Sequence, residues 1–459
     1  MTTAAGVREV SMMELIRRLS PLRMGPNCDG LDESVRILKE ILPFRVHEFP
    51  GGGEVNGWIC PLKWEAPKAT IRDVAGRVIY DGNAHPLGVI GYSQPFKGRV
   101  TGEELKKHLF YSDQFDDALI YHCDLFYKPF RKEWGFSVTK RFFDSVRIAD
   151  IYDVDLQTTF EKGTMKVAEY TLPGESEDCI VLNAHNCHAF CCNDDLAGVA
   201  VGVEVMKRLA ALPSRRFTYR LIVAPEHFGS IFYLNGLSDA EAKRLKWGVF
   251  LEMLGTKQAL GYQRSFTGTS MIDRAMLNVL RNGRAEWRTD EFRKIVGNDE
   301  TCWEAPGYEV PFGSLSRFPY PEYHTSKDSP ELMDEKKLQE SAEVVMEALF
   351  IMDNDLVMTR KFKGLVALSH PRYDLYKAFW DPSEPGRRTI DDETQRWNYL
   401  LNCIPRYFDG KTRVIEIAER HGIPFRAVHD YVLAFEAKNL IETKPAPAED
   451  PAPRDLPPL

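Results

Sequence analysis

The chain has 459 residues, 44% of them hydrophobic and 27% charged, which is the balance of a globular protein of roughly two to four domains and excludes a fibrous or low-complexity chain. Its 59 Lys and Arg against 67 Asp and Glu leave a net charge of −8, which gives no basic footprint for nucleic acid. No run of 18 apolar residues occurs, so no membrane contact is expected, and the N-terminus lacks the apolar core of a signal peptide, which points to a cytoplasmic protein.

Residues 9–42 predict helix, with Leu15, Leu19 and Leu22, then Val35, Leu38 and Ile41, at helical spacing around a Pro26-Asn27-Cys28-Asp29-Gly30 break. The punctuation at Pro50-Gly51-Gly52-Gly53 marks a boundary. Over 53–144, short apolar runs such as Trp58-Ile59-Cys60 and Val78-Ile79-Tyr80 alternate with turns such as Asp81-Gly82-Asn83. This predicts a small β-rich inserted domain with one helix over 101–108, capped by Thr101 with Glu104 three residues on. From about 148 to 356, strands over 180–184, 220–224 and 249–251 alternate with helices over 199–212, 233–245, 271–281 and 336–352. The alternation predicts an α/β domain, discontinuous over 1–52 and 145–358, with a mainly parallel or mixed sheet covered by helices on both faces.

A separate unit is expected over 362–444, with helices over 389–408, 411–421 and 425–439 and a Gly422 turn between the last two, resembling the helix-turn-helix of a winged-helix domain. Residues 411–444 carry six basic and five acidic side chains, and Arg426 and Lys438 on the last helix are balanced by Asp430 and Glu436. That balance favours packing or self-association over DNA binding. The Pro-rich stretch 445–459 is expected to be a disordered tail.

Chemistry concentrates at 179–198, CIVLNAHNCHAFCCNDDLAG. An apolar strand ends in His185 and His188, and Asn193-Asp194-Asp195 precedes a helical pattern as an N-cap would. Imidazoles at a strand end facing a carboxylate at a helix start suit a borderline divalent ion such as zinc; a loop with hydrogen-bonded histidines and an ordinary cap is the bland alternative. Nine cysteines, an odd and uneven set, fit reduced thiols better than a disulfide framework, although Cys187, Cys191 and Cys192 are alternatives as soft ligands. Glu226 and His227 follow the second strand and Glu252 the third, at the sheet edge where ligands bind in open α/β sheets. Glu226 there could take a proton from an activated water, and His324 in the polar loop 320–329 could close the site from a distance.

The ordered set His…Asn-Asp-Asp-x-x-Gly, Glu-His-x-Gly-Ser, Glu-Met-x-Gly, Asp299, then Tyr323-His324-Thr325-Ser326-x-Asp328 resembles the zinc aminopeptidase family with co-catalytic metals. The closer likeness is to its subgroup with a small inserted domain, a His-x-Cys-His pattern (His185 to His188) and a C-terminal winged helix. The resemblance implies that Asp194 bridges the metals, Glu226 is the general base, His324 is a ligand and Glu252 is the second-metal carboxylate. Two departures stand out: His227, still a candidate metal ligand as a neutral imidazole, replaces the second carboxylate after Glu226, and His-x-Asp becomes His-x-Cys-His. His188 is therefore the favoured ligand with His185 as supporting group or alternative, and one zinc is favoured with a second left open. Asp299, Glu300, Arg317 and Tyr323 are candidates for substrate contact, the acidic ones for a free α-amine. The function expected is zinc-dependent hydrolysis of an amide in a small peptide or aminoacyl-amide. A metal-free scaffold and an amine-dependent cyclisation on the same fold are the alternatives.

Overall fold

The structure is a computed structural model and describes residues 10–283, 285–377 and 392–451. Helices α1 (Met12–Leu19) and α2 (Asp29–Lys39) lead into strand β1 (Arg45–Pro50). There follow β2 (Glu54–Val55), β3 (Trp58–Ile59), β4 (Lys63–Arg72), β5 (Val78–Asp81), β6 (Phe96–Thr101), α3 (Gly102–Lys106), β7 (Leu109–Phe110), α4 (Asp124–Tyr127), β8 (Phe136–Ser137), α5 (Lys140–Ser145) and β9 (Ile151–Glu161). The α/β part continues with β10 (Thr164–Leu172), β11 (Cys179–His185), α6 (Ala197–Ala210), β12 (Thr218–Ala224), α7 (Phe228–Asn235), α8 (Asp239–Arg244), β13 (Leu245–Glu252) and β14 (Leu260–Gln263). It ends with α9 (Met271–Asn282), β15 (Trp287–Asp290), α10 (Glu300–Trp303), β16 (Phe312–Ser316) and α11 (Glu335–Asn354). The last unit holds β17 (Leu356–Arg360), α12 (Asp392–Tyr407), β18 (Asp409–Arg413), α13 (Val414–His421), α14 (Phe425–Ala437) and β19 (Ile441–Pro445).

Eight strands form one mixed sheet in the order β1-β10-β12-β11-β13-β16-β14-β15, whose central four, β12, β11, β13 and β16, run parallel. Strand β11 is buried at all seven positions because both of its faces are covered. Ile180, Leu182 and Ala184 point into the core beneath α1, α6, α9 and α11, while Cys179 and Val181 join the core beneath α7. This is the expected fold class. The helix predicted over 233–245 is instead two short ones, because Ser238 starts α8 with a reciprocal cap to Glu241 and Leu245 already belongs to β13.

A second, four-stranded sheet in the order β5-β4-β9-β6 stands beside the first with its own apolar core. Its central strand β9 lies past residue 144, so this unit runs further along the chain than the turn pattern predicts. Alternation of Tyr152, Val154 and Leu156 with polar neighbours marks a strand buried on one face but not which sheet it joins. Helix α3 is capped as expected, with the Thr101 hydroxyl accepting from Glu104 N at 3.2 Å.

In the C-terminal unit an antiparallel sheet, β18-β17-β19, packs with α12, α13 and α14, and its side chains merge into the same core as α9 and α11. The unit begins at β17, inside the stretch assigned by sequence to the α/β domain. The described part of the expected tail is ordered against the main sheet: Ala446 N donates to Asp355 O at 2.9 Å, and Asp450 Oδ1 accepts from Trp247 Nε1 and from Met271 N, both at 2.7 Å. Proline does not prevent docking when the segment's backbone finds partners; residues 452–459 of that expectation lie outside the described residues. Among the described residues no helix is long and apolar enough to cross a membrane.

Asp450 adds a cap to the first turn of α9 from 179 residues away. Asp450→Ala should therefore cost about 1 kcal/mol, read as a fall of a few degrees in the melting temperature; an unchanged melting temperature would show that the strap carries no stability.

Candidate metal centre

Parallel pairing brings the carboxyl ends of β11, β12 and β13 to one edge. His185 pairs with Ala224, two residues before Glu226, and Asn183 pairs with Phe250, two before Glu252. Between β11 and α6 the chain crosses this edge through Asn193, Asp194 and Asp195, with Asp194 (φ −113°, ψ 83°) and Asp195 (φ −137°, ψ 39°) outside helical geometry. The capping predicted for this run is done by Asp195, whose carboxylate accepts Gly198 N at 2.8 Å, Met253 N at 3.1 Å and His185 N at 3.2 Å. A side chain at Gly198 would collide with Leu251 O and both Asp195 carboxylate oxygens, so glycine is required there. From the other side, buried Asp328 accepts Asn193 N at 2.7 Å, Asp194 N at 3.1 Å and the Tyr320 hydroxyl at 2.8 Å. The backbone is thus fixed at both ends while the Asp194 side chain is left to face the histidines.

Asp194 Oδ1 lies 2.9 Å from His185 Nε2, and Oδ2 lies 2.9 Å from His324 Nε2 and 3.9 Å from His188 Nε2. His188 Nε2 is 3.4 Å from Glu226 Oε2. Donor atoms of His185, Asp194 and Glu252 lie within 4.8 Å of one another, as do those of His188, Asp194 and His324. Yet His185 Nδ1 and Glu252 Oε2 are buried without a hydrogen-bond partner among the described residues, and the 2.9 Å contacts of Asp194 with His185 Nε2 and His324 Nε2 fall outside hydrogen-bond geometry. Leaving such atoms unpaired costs about 1–3 kcal/mol each. Converging imidazole and carboxylate donors whose hydrogen bonding is incomplete are what a zinc ion requires, and the set fits it.

Electrostatics follow burial. Burial alone would raise the Asp194 carboxyl, but the facing histidines hold it well below its ordinary range. Burial and then the nearby Asp194 charge push Glu252 well up, and burial raises Glu226 against the pull of His227 and His185. The Asp328 carboxyl is pushed up to about 7 by burial, against its backbone hydrogen bonds.

The remaining predicted residues divide. Tyr323 stacks on His324 at 3.8 Å between ring centroids and belongs to the centre. His227 stands apart from both groups around Asp194: its Nδ1 is 2.9 Å from Asp299 Oδ1, its Nε2 is 3.4 Å from Glu226 Oε1, and Cys302 completes a third cluster with this pair. Asp299 and Glu300, expected to meet substrate, are fully buried. Asp299 accepts from the Ser230 hydroxyl at 2.5 Å, and Glu300 accepts from Asn298 N and Gln263 Nε2, both at 3.0 Å. Arg317 is also buried and away from the centre, donating to Gln258 O and to Glu340 of α11, both at 2.6 Å. Pairing demands overrode surface placement for these charges. Of the thiols, Cys187 touches the site, 3.4 Å from His188 Nδ1 and accepting Glu226 N at 3.2 Å, while all nine cysteines are free.

Three contributors carried no signal in the sequence. Tyr121 packs its ring 4.4 Å from His188 and donates its backbone N–H to His324 O at 2.8 Å. Tyr127 places its hydroxyl 3.5 Å from Glu226 Oε2, and Asn298 donates to Glu252 Oε1. Asp195 was legible in principle, since a run of two Asp at a helix start leaves one beyond what capping needs.

A family model described as a domain of unknown function (DUF4910) matches residues 13–355. A Clostridium acetobutylicum protein, provisionally named for polysaccharide biosynthesis with an aminopeptidase-like domain, is 29% identical over 419 residues, which is 90% of this chain and 92% of the relative. A crystal structure from the same organism, provisionally named a peptidase, superposes with a TM-score of 0.80 at 27% identity and covers 94% of this chain and 96% of that one. A zinc aminopeptidase from Bacillus subtilis shares the fold, with a TM-score of 0.55 at 15% identity over 75% of this chain and 96% of its own.

Because Asp328 holds two backbone N–H groups that set the aim of Asp194, Asp328→Ala should cost about 3 kcal/mol and also weaken zinc uptake. Calorimetric unfolding and metal titration check both; intact zinc affinity in a destabilised variant would separate Asp328 from the centre.

Proposed function

We propose, for a chain that belongs to the family described as a domain of unknown function (DUF4910), zinc-dependent hydrolysis of an amide bond, with an aminopeptidase-type substrate such as a small peptide or aminoacyl-amide. The observation that carries this reading is the convergence of buried imidazole and carboxylate groups on Asp194, their hydrogen bonding incomplete, with Glu226 alongside. His185 and Glu252 would hold an ion on the Oδ1 side of Asp194, and His188 and His324 one on the Oδ2 side. Two such groups around Asp194 support two ions rather than the single zinc favoured by the sequence, and both His185 and His188 would then be ligands. Bound zinc supplies a lowered pKa for water and polarisation of the carbonyl.

The protein groups do the rest. Glu226, whose affinity for a proton burial raises, accepts a proton from the attacking water as a carboxylate and returns it to the leaving amine as the C–N bond breaks. Tyr121 and Tyr323 pack against the ligand imidazoles and hold their planes. With Asp299 and Glu300 inside, neither supports recognition of a free α-amine, so the release of an N-terminal residue rests on the names of similar proteins and on the shared fold.

We read the second sheet as the inserted domain and the C-terminal unit as winged-helix-like. In the latter, α13 ends at left-handed Gly422 and α14 follows as the second helix. The charge of α14 that could meet phosphate, Arg426, is bound to Glu347 of α11 at 2.8 Å and lies over the Phe350 ring. That engagement supports a packing role rather than nucleic-acid binding; self-association and a cytoplasmic location remain part of the same reading.

Zinc analysis of the purified chain should give close to two ions. His324→Ala and His188→Ala should each lower affinity by more than the roughly 10–100-fold typical of losing a supporting group. Glu226→Gln should keep metal and fold while cutting turnover on an aminoacyl-amide by roughly 10²–10⁴-fold. Full turnover in Glu226→Gln, or a metal-free parent, would refute the reading.

A further inference from the structure

Three rings from separate segments meet beside Glu226 and His227, and of them only the Tyr127 hydroxyl reaches the centre. Trp58 lies on β3, just after a tight turn with Asn56 (φ 48°) and Gly57 (φ 85°); Tyr127 ends α4; Phe228 opens α7, two residues after Glu226. Tyr127 stacks on Phe228 at 5.5 Å and 14°, and Trp58 meets Phe228 edge-on at 5.6 Å. Both rings also approach His227, at 6.1 and 6.4 Å. Phe228 is buried beneath them, whereas Trp58 and Tyr127 each keep 37% of their surface exposed.

A single exposed aromatic needs no explanation. Two that share one buried ring and flank the same imidazole, His227, with Tyr127 also reaching Glu226, form an apolar wall next to convergent polar groups, which is the composition of small-ligand sites. The position also sets the scale. Since the Tyr127 hydroxyl is 3.5 Å from Glu226 Oε2, a group resting on this wall lies a few bonds from a carbonyl attacked beside Glu226.

We infer that Trp58 and Tyr127 form a specificity wall that selects amides carrying a flat-faced ring, an aryl side chain or a pyranose, next to the scissile bond. Both kinds of ring offer an apolar face that packs on indole and phenol, while a short aliphatic side chain reaches neither. The inference rests on the amide-hydrolase reading, and it is tested so that the two can fail separately.

The test measures binding by calorimetry to the zinc-loaded full-length chain carrying Glu226→Gln, so that nothing turns over. The probes are phenylalanine amide, N-acetylglucosaminyl-asparagine and alanine amide. At least one ring-bearing probe should bind roughly tenfold tighter than alanine amide, and its identity decides between aryl and pyranose. Trp58→Leu should remove most of that preference while moving alanine amide by less than about twofold, and Trp58→Phe should restore much of it; Tyr127→Leu should cost the ring-bearing probes most, and Tyr127→Phe should restore them. Thermal unfolding identifies a variant that fails to fold, in which case the other position carries the test. Equal affinity for ring and alanine probes, or equal loss on all three, overturns the wall. A ring preference without turnover in the parent chain removes the hydrolase reading and leaves the wall; turnover without ring preference does the reverse.

Discussion

The carboxylate of Asp195 accepts the backbone N–H groups of His185, Gly198 and Met253, which lie at the end of β11, in the first turn of α6 and just past β13. Three elements are thereby tied to one buried group, and the rest of the sheet edge depends on that tie. It turns the neighbouring Asp194 the other way, so that a carboxylate with no backbone duty points at His185, His188 and His324. The close approach of α6 to β13 that this demands is also what excludes any side chain at Gly198. A buried carboxylate accepting several N–H groups is a strong local anchor, because removing it would orphan every donor at once.

The centre so formed is poorly satisfied by the protein alone. Several histidines and carboxylates are buried together, and some of their atoms have no partner among the described residues. A fold optimised only for stability would bury apolar groups there instead. Local disagreement between burial and polarity is where a ligand is expected to complete the structure, and the apolar strands on either side supply the stability that permits it.

Much of this is legible in the sequence. Fully apolar runs such as 180–184 declare strands buried on both faces, and their carboxyl ends then locate His185, Glu226 and Glu252. His324 is reached through the order of motifs. What escapes is set by tertiary pairing. Glu300 and Arg317 are charged and look available, but one is absorbed by Asn298 and Gln263 and the other by Glu340. Strand periodicity identifies β9 without saying which sheet it joins. Tyr121 and Tyr127 come from a region far from the motifs, and only the chain's return over the sheet edge places them there. The tail reads as disordered because its composition is polar and Pro-rich, whereas Asp450 finds two specific donors.

The loop between β7 and α4 is sewn to the centre by backbone. Tyr121 N donates to His324 O at 2.8 Å, Ser326 N to Leu119 O at 2.8 Å, and Ile120 bridges Thr325 in antiparallel fashion. His324 is therefore held by this loop as much as by the edge of the larger sheet. Displacing that loop would carry this imidazole away from Asp194, so the completeness of the ligand set depends on backbone pairing made far from the metal-binding motifs.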